Sequence, residues 1–118
     1  MTIYKQGDIV LVPFPFPDLS TTKKRPALVI SADWYNQKYH DVVLAGITSH
    51  IPVTLQDLDY SISEFDFKTG QLYKKSIVKL GKLFTIESNL IIKKIADLQE
   101  NILTEILNQL TKLFQENK

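Results

Sequence analysis

The chain has 118 residues, 44% hydrophobic and 23% charged, with a formal net charge of +1 and no cysteine. This composition excludes disulfide staples, zinc–thiolate sites and cysteine nucleophiles, and it lacks the bulk basicity by which most nucleic-acid binders declare themselves. It fits one globular domain over residues 1–118. No signal-peptide pattern and no apolar run near the ~18 residues of a membrane span is present, so the expected location is the cytoplasm with no membrane contact.

Residues 7–13 open with Gly-Asp and continue as an apolar, β-branched run, which predicts a buried strand. Residues 14–24 alternate Phe and Pro and then turn to Ser, Thr and Lys, which predicts a loop, because proline removes backbone donors and fixes φ. A second strand is expected over residues 27–31, with Pro26 at its first position, where proline is tolerated. Residues 31–39 form a polar-aromatic connector with room for one helical turn. Residues 41–48 predict a third strand, with Gly46 marking a bulge or a close backbone approach.

Residues 51–62 are ambiguous, with a strand expected near 60–63. Residues 76–78 and 83–86 are expected to be two short strands joined by a turn at 79–82, and residues 91–95 predict a last strand. Ile102, Leu103, Ile106, Leu107, Leu110, Leu113 and Phe114 recur at three- and four-residue spacing and mark one face of a helix over about 98–115. Asp97 and Glu100 have the spacing of an N-cap and its capping-box partner. The chain therefore reads as mainly β with a C-terminal helix, a small β-barrel plus helix.

Four stretches carry a more specific signal: Gly7-Asp8-Ile9-Val10; Arg25-Pro26-Ala27-Leu28-Val29-Ile30-Ser31; Ile47-Thr48-Ser49; and Ser76-Ile77-Val78-Lys79-Leu80 followed by Leu83-Phe84-Thr85-Ile86. In this order and spacing they resemble the PemK/MazF family of toxins from toxin–antitoxin systems, over most of the chain. The resemblance implies an SH3-like β-barrel of the PemK/MazF/CcdB-like toxin fold. It also implies a homodimer, a cognate antitoxin as partner, and sequence-specific cleavage of single-stranded RNA by the RNA's own 2′-hydroxyl, leaving a 2′,3′-cyclic phosphate and a 5′-hydroxyl. The family's catalytic arginine and threonine match Arg25 and Thr48. Relatives often carry a glutamate in the polar loop before the arginine, and this sequence has none between Phe14 and Arg25.

The chemistry of these residue types agrees with that implication. A guanidinium offers planar, permanently charged donors to the oxygens of a pentacoordinate phosphorane, but it cannot serve as a base. A threonine hydroxyl can donate to a phosphate oxygen. His50 lies two residues beyond Thr48 and would share its face on a continuing strand, which makes it a candidate general acid. Lys23, Lys24 and Ser49 flank the pair and are candidate RNA-binding residues. Phe14 and Phe16 are suited either to stacking on unpaired bases, to receiving an antitoxin segment, or to folding back onto the core. The lysines between Lys74 and Lys82 are either a solvated rim or contacts to the RNA backbone. Two histidines and scattered carboxylates show no ligand spacing, so neither a metal nor a cofactor is expected. The alternative for Arg25 is a solvated charge at a loop end, and for Thr48 an ordinary strand residue. At the level of function, the alternatives are a CcdB-like toxin that poisons a topoisomerase by binding it, or an inactive binding module. A phosphate-facing arginine has no use in the former.

Overall fold

A computed structural model describes residues 3–14 and 23–116, Phe14 by its backbone alone. Among the described residues seven strands form a single antiparallel sheet: β1 (Asp8–Phe14), β2 (Lys23–Val29), β3 (Asp41–Thr48), β4 (Asp59–Ile62), β5 (Phe67–Gly70), β6 (Ser76–Glu87) and β7 (Lys93–Leu98). Their order across the sheet is β4-β6-β3-β2-β1-β7-β5. Helix α1 (Asp33–Tyr39) lies between β2 and β3, and helix α2 (Glu100–Leu110) follows β7.

The sheet alternates apolar side chains to both faces, and both faces are covered. One face gathers Ile9, Leu28, Ala45, Ile47, Ile62, Val78, Leu80, Ala96 and Leu98 into one cluster, with Phe67 packed against it. Every strand contributes to this cluster, including the edge strands β4 and β5. The sheet must therefore curl until its ends approach one another, giving a half-barrel. Ile106 of α2 is fully buried in the same cluster, with Ile102 and Leu110 beside it. The helix thus seals the inner face with one turn-spaced stripe. Val10, Val12, Ala27, Val29, Val42, Leu44 and Ile86 form a second cluster on the opposite face, closed by Tyr4 and Ile91.

Mainly β with a C-terminal helix is what the sequence predicts, and several local expectations hold: β1, β3 and the irregularity at Gly46. Others are corrected. The segments expected as two strands and a turn over 76–86 are one strand, β6. Opposite the step from Ala45 to Gly46, its pairing jumps from Leu83 to Lys79, leaving Leu80, Gly81 and Lys82 without partners on β3. The segment stays in the sheet because Leu80 is fully buried and its N–H donates to the Leu58 carbonyl at 2.8 Å. Asp97 does not cap α2. It lies in β7, where its carboxylate accepts from the Thr69 N–H (2.9 Å) and hydroxyl (2.6 Å) and from Lys94 Nζ (3.0 Å). Gln99 precedes the helix without a side-chain cap, and a capping box forms instead between Ser63 and Asp66. The last strand falls at Lys93–Leu98 rather than 91–95, and α2 ends at Leu110, followed by a 3-10 turn at Thr111–Phe114.

β2 begins at Lys23, not at residue 26, so Pro26 sits fourth in the strand. Its position has a consequence for the site. Ile30 N–H donates to the Val43 carbonyl at 2.9 Å. N–H groups alternate sides along an antiparallel strand, so those of residues 28 and 26 also face β3. Pro26 has none to offer the carbonyl of Ile47, its opposite number in the continued register. The β2–β3 ladder accordingly stops at Ala27↔Gly46, while β1–β2 pairing continues to Phe14↔Lys23.

Candidate functional site

Where that ladder stops, β2 and β3 part, and a cavity of about 390 Å³ opens between them, lined by Lys23, Lys24, Arg25, Pro26, Ile47, Thr48, Ser49 and Ser76. Continuing the register of Ala27↔Gly46 by two residues places Arg25 opposite Thr48. Alternation puts both on the face that carries Ala27 and Leu44, so the two side chains flank the opening from facing strands. Five of the sequence-predicted residues, Lys23, Lys24, Arg25, Thr48 and Ser49, are thereby brought together.

Three cations line the cavity, and no carboxylate or imidazole does among the described residues. Thr48 ends β3, and its hydroxyl oxygen accepts the backbone N–H of His50 at 3.1 Å, bending the chain out of the strand. The strand therefore does not continue to His50, which is exposed and lies outside the cavity lining. Phe14 closes β1 opposite Lys23; its side chain and all of Phe16 lie outside the described residues.

The lysines of the 74–82 stretch divide. Lys79 pairs with the buried Asp59 at 2.7 Å and pins β4 to β6, which commits it to the fold. Burial works against charge on Asp59, but the hydrogen bond from Lys79, the Gln56 N–H and the Lys79 charge together hold its carboxyl below the usual aspartate range. Lys74 instead lines a second cavity of about 720 Å³ on the inner face. The two cavities share Pro26, Ser49 and Ser76. Ser76 escapes sequence reasoning because a serine opening a strand carries no chemical signal; only the parting of β2 and β3 exposes it. Among the described residues no group of three or more His, Asp or Glu side chains is placed to hold a metal ion, and no helix is long and apolar enough to cross a membrane.

A small curled sheet with a basic cleft at an interrupted ladder is a surface suited to a phosphate backbone. The family pattern for the PemK-like, MazF-like toxin of type II toxin–antitoxin systems matches residues 5–114, and the chain belongs to that family. The fold is shared with an endoribonuclease from Mycobacterial species (TM-score 0.74, 15% identity, covering 97% of this chain and 93% of that one). It is shared equally with a MazE–MazF crystal structure from Deinococcus radiodurans (TM-score 0.74, 18% identity, 97% of each chain). A mycobacterial endoribonuclease in complex with its cognate antitoxin is similar over the full length of both chains, at TM-score 0.71 and 16% identity. No curated protein sequence matches the chain.

Proposed function

We propose that this toxin is a sequence-specific endoribonuclease that cleaves single-stranded RNA without a metal, acts as a homodimer and is neutralised by an antitoxin. The observation that carries the reading is the placement of Arg25 and Thr48 on facing strands at the gap left by Pro26, with Lys23 and Lys24 beside them. The 2′-oxygen attacks the adjacent phosphorus, and the bond to the 5′-oxygen breaks. The products are a 2′,3′-cyclic phosphate and a 5′-hydroxyl. Arg25 neutralises the phosphorane oxygens, a role worth about 3–4 kcal/mol for a well-placed donor. Thr48 accepts from His50 N–H, which leaves its own proton to donate to a phosphate oxygen. Among the described residues neither carboxylate nor imidazole lines the cleft; in this reading the 2′-proton passes to water, water reprotonates the 5′-oxygen, and catalysis is modest. The fold neighbours that are endoribonucleases, one bound to its antitoxin, support the assignment and the partner.

A twofold pair of chains would double the local charge of the Lys23-Lys24-Arg25 edge that a net charge of +1 leaves weak in one copy. An acidic, apolar antitoxin segment that orders on binding suits the same cleft and would compete with RNA. The test is incubation of the purified protein with a long RNA in EDTA, followed by mapping of the cut ends. Cuts at a defined sequence with 2′,3′-cyclic phosphate termini are expected. Absence of cleavage across a broad set of sequences overturns the reading. Light scattering should give twice the 13.5 kDa chain mass at tens of micromolar, and a clean monomer would contradict the dimer.

A further inference from the structure

The second cavity contains features that the folded core does not use. Its floor runs straight across three strands: Leu11 of β1 pairs with Lys93 of β7 on one side and with Pro26 of β2 on the other. Its wall is the segment 70–74, held at three points. Gly70 has φ +72°, and a Cβ there would lie 2.2 Å from the Ile95 carbonyl oxygen, so only glycine lets β5 lie this close to β7. Leu72 packs against the core cluster, and Ser76 Oγ donates to the Lys74 carbonyl at 2.8 Å. On this anchored wall Tyr73 is 97% exposed, so its ring gains almost nothing from folding. Among the described residues the ion pairs are Lys79–Asp59, Lys94–Asp8 and Lys94–Asp97; none engages Lys74 or Lys93, which both face the cavity.

We infer that this inner cavity is a subsite for a nucleotide next to the cut dinucleotide, with Tyr73 as a stacking platform for its base and Lys74 and Lys93 as contacts to its backbone. The inference rests on the ribonuclease reading above. A single strand held at Arg25 and Thr48 passes into the cavity over Pro26, Ser49 and Ser76, which line both spaces. A volume of about 720 Å³ falls within the range of small-molecule sites and admits a nucleotide. Stacking on an aromatic ring is tolerant of base identity, so the subsite adds affinity for flanking RNA more than it adds a letter to the recognised sequence.

The experiment compares two RNAs that share the cut dinucleotide, one extended by the nucleotides that flank it at the mapped site and one trimmed to the dinucleotide. Tyr73→Ala should lower kcat/KM on the flanked RNA about tenfold or more, and by a much smaller factor on the trimmed one. Tyr73→Phe should restore the flanked substrate. Lys74→Ala with Lys93→Ala should reduce the slope of log affinity against log salt by roughly 1.4, the value for two phosphate contacts on a single strand. If wild type cuts no RNA, the reading of the site itself falls and the subsite falls with it. If wild type cuts but Tyr73→Ala loses nothing, or loses equally on both substrates, the subsite alone is overturned.

Discussion

Replacing Pro26 with alanine isolates the device that opens the cleft. The substitution supplies the missing N–H on the side of β2 that faces β3, opposite the carbonyl of Ile47. One new ladder bond contributes about 0.5–1.5 kcal/mol net. Loss of proline's restriction of the unfolded chain costs about 0.4–1 kcal/mol. The two nearly cancel, so the melting temperature should move by no more than about 4 °C for a domain of this size. Amide exchange is the discriminating assay. In the Pro26→Ala protein the new N–H at position 26 should be protected like its neighbours in β2, because the ladder now continues past Ala27↔Gly46. Arg25 and Thr48 would then sit at ordinary cross-strand spacing, about 4.5–5.5 Å between Cβ atoms, with the gap between their strands closed. RNA cleavage should fall at least about tenfold, while the fold is kept. If the introduced amide exchanges as fast as an unstructured one, the missing donor is not what ends the ladder, and the argument for how the site opens fails.

Other expectations follow from the same geometry. Arg25→Ala should lose about 100- to 1000-fold in kcat with an unchanged circular dichroism spectrum, since the residue is exposed; wild-type rates would refute its role. Thr48→Ala should lose about 10- to 30-fold, roughly half that free energy, because a neutral hydroxyl bond is weaker than a charge-assisted one, and Thr48→Ser should recover most of it. Because the folded carboxyl of Asp59 titrates below the ordinary value of 3.8, its stabilising contribution is complete above that pH and is lost as pH falls further. Asp59→Asn should therefore be less stable near neutral pH and show a shallower acid decline in melting temperature. Some slope will remain, because burial disfavours charge on Asp97 but the hydrogen bonds from Thr69 and Lys94 still hold it low, with the same sign.

The parts of this fold that can be read ahead of the structure are those where side-chain period and burial agree. In α2, Ile102, Ile106 and Leu110 face the core as their spacing demands. The misreadings have a common cause: a partner distant in sequence outweighs a local pattern. Asp97 has the spacing of a helix cap, but Thr69, reached only through the β5–β7 pairing, and Lys94 of its own strand claim its carboxylate. Lys79-Leu80-Gly81-Lys82 has turn composition, but Asp59 and the Leu58 carbonyl hold it in β6. β5 is a four-residue edge strand with one partly buried side chain, Phe67, too short for alternation to register. For the candidate site, the Arg-Pro-Ala and Thr-Ser stretches single out Arg25 and Thr48 by resemblance, whereas their facing geometry follows from a register that no single strand encodes. Tyr73 gives no signal in the sequence, because an exposed tyrosine in a polar stretch looks like any solvated loop residue.

Gly70 has a further bearing on how this protein can change over generations. The backbone there is fixed by contact with β7, and Leu72 pegs the segment to the core, yet Gln71, Tyr73, Lys74 and Lys75 all point to solvent. Surface substitutions away from anchoring features seldom shift stability by more than about 0.5 kcal/mol. These four side chains can therefore be rewritten at little cost to folding, while a side chain at Gly70 would collide with the β7 backbone. The permissive and the constrained positions sit one residue apart, so the side chains presented on this wall can change while the backbone that presents them stays where it is.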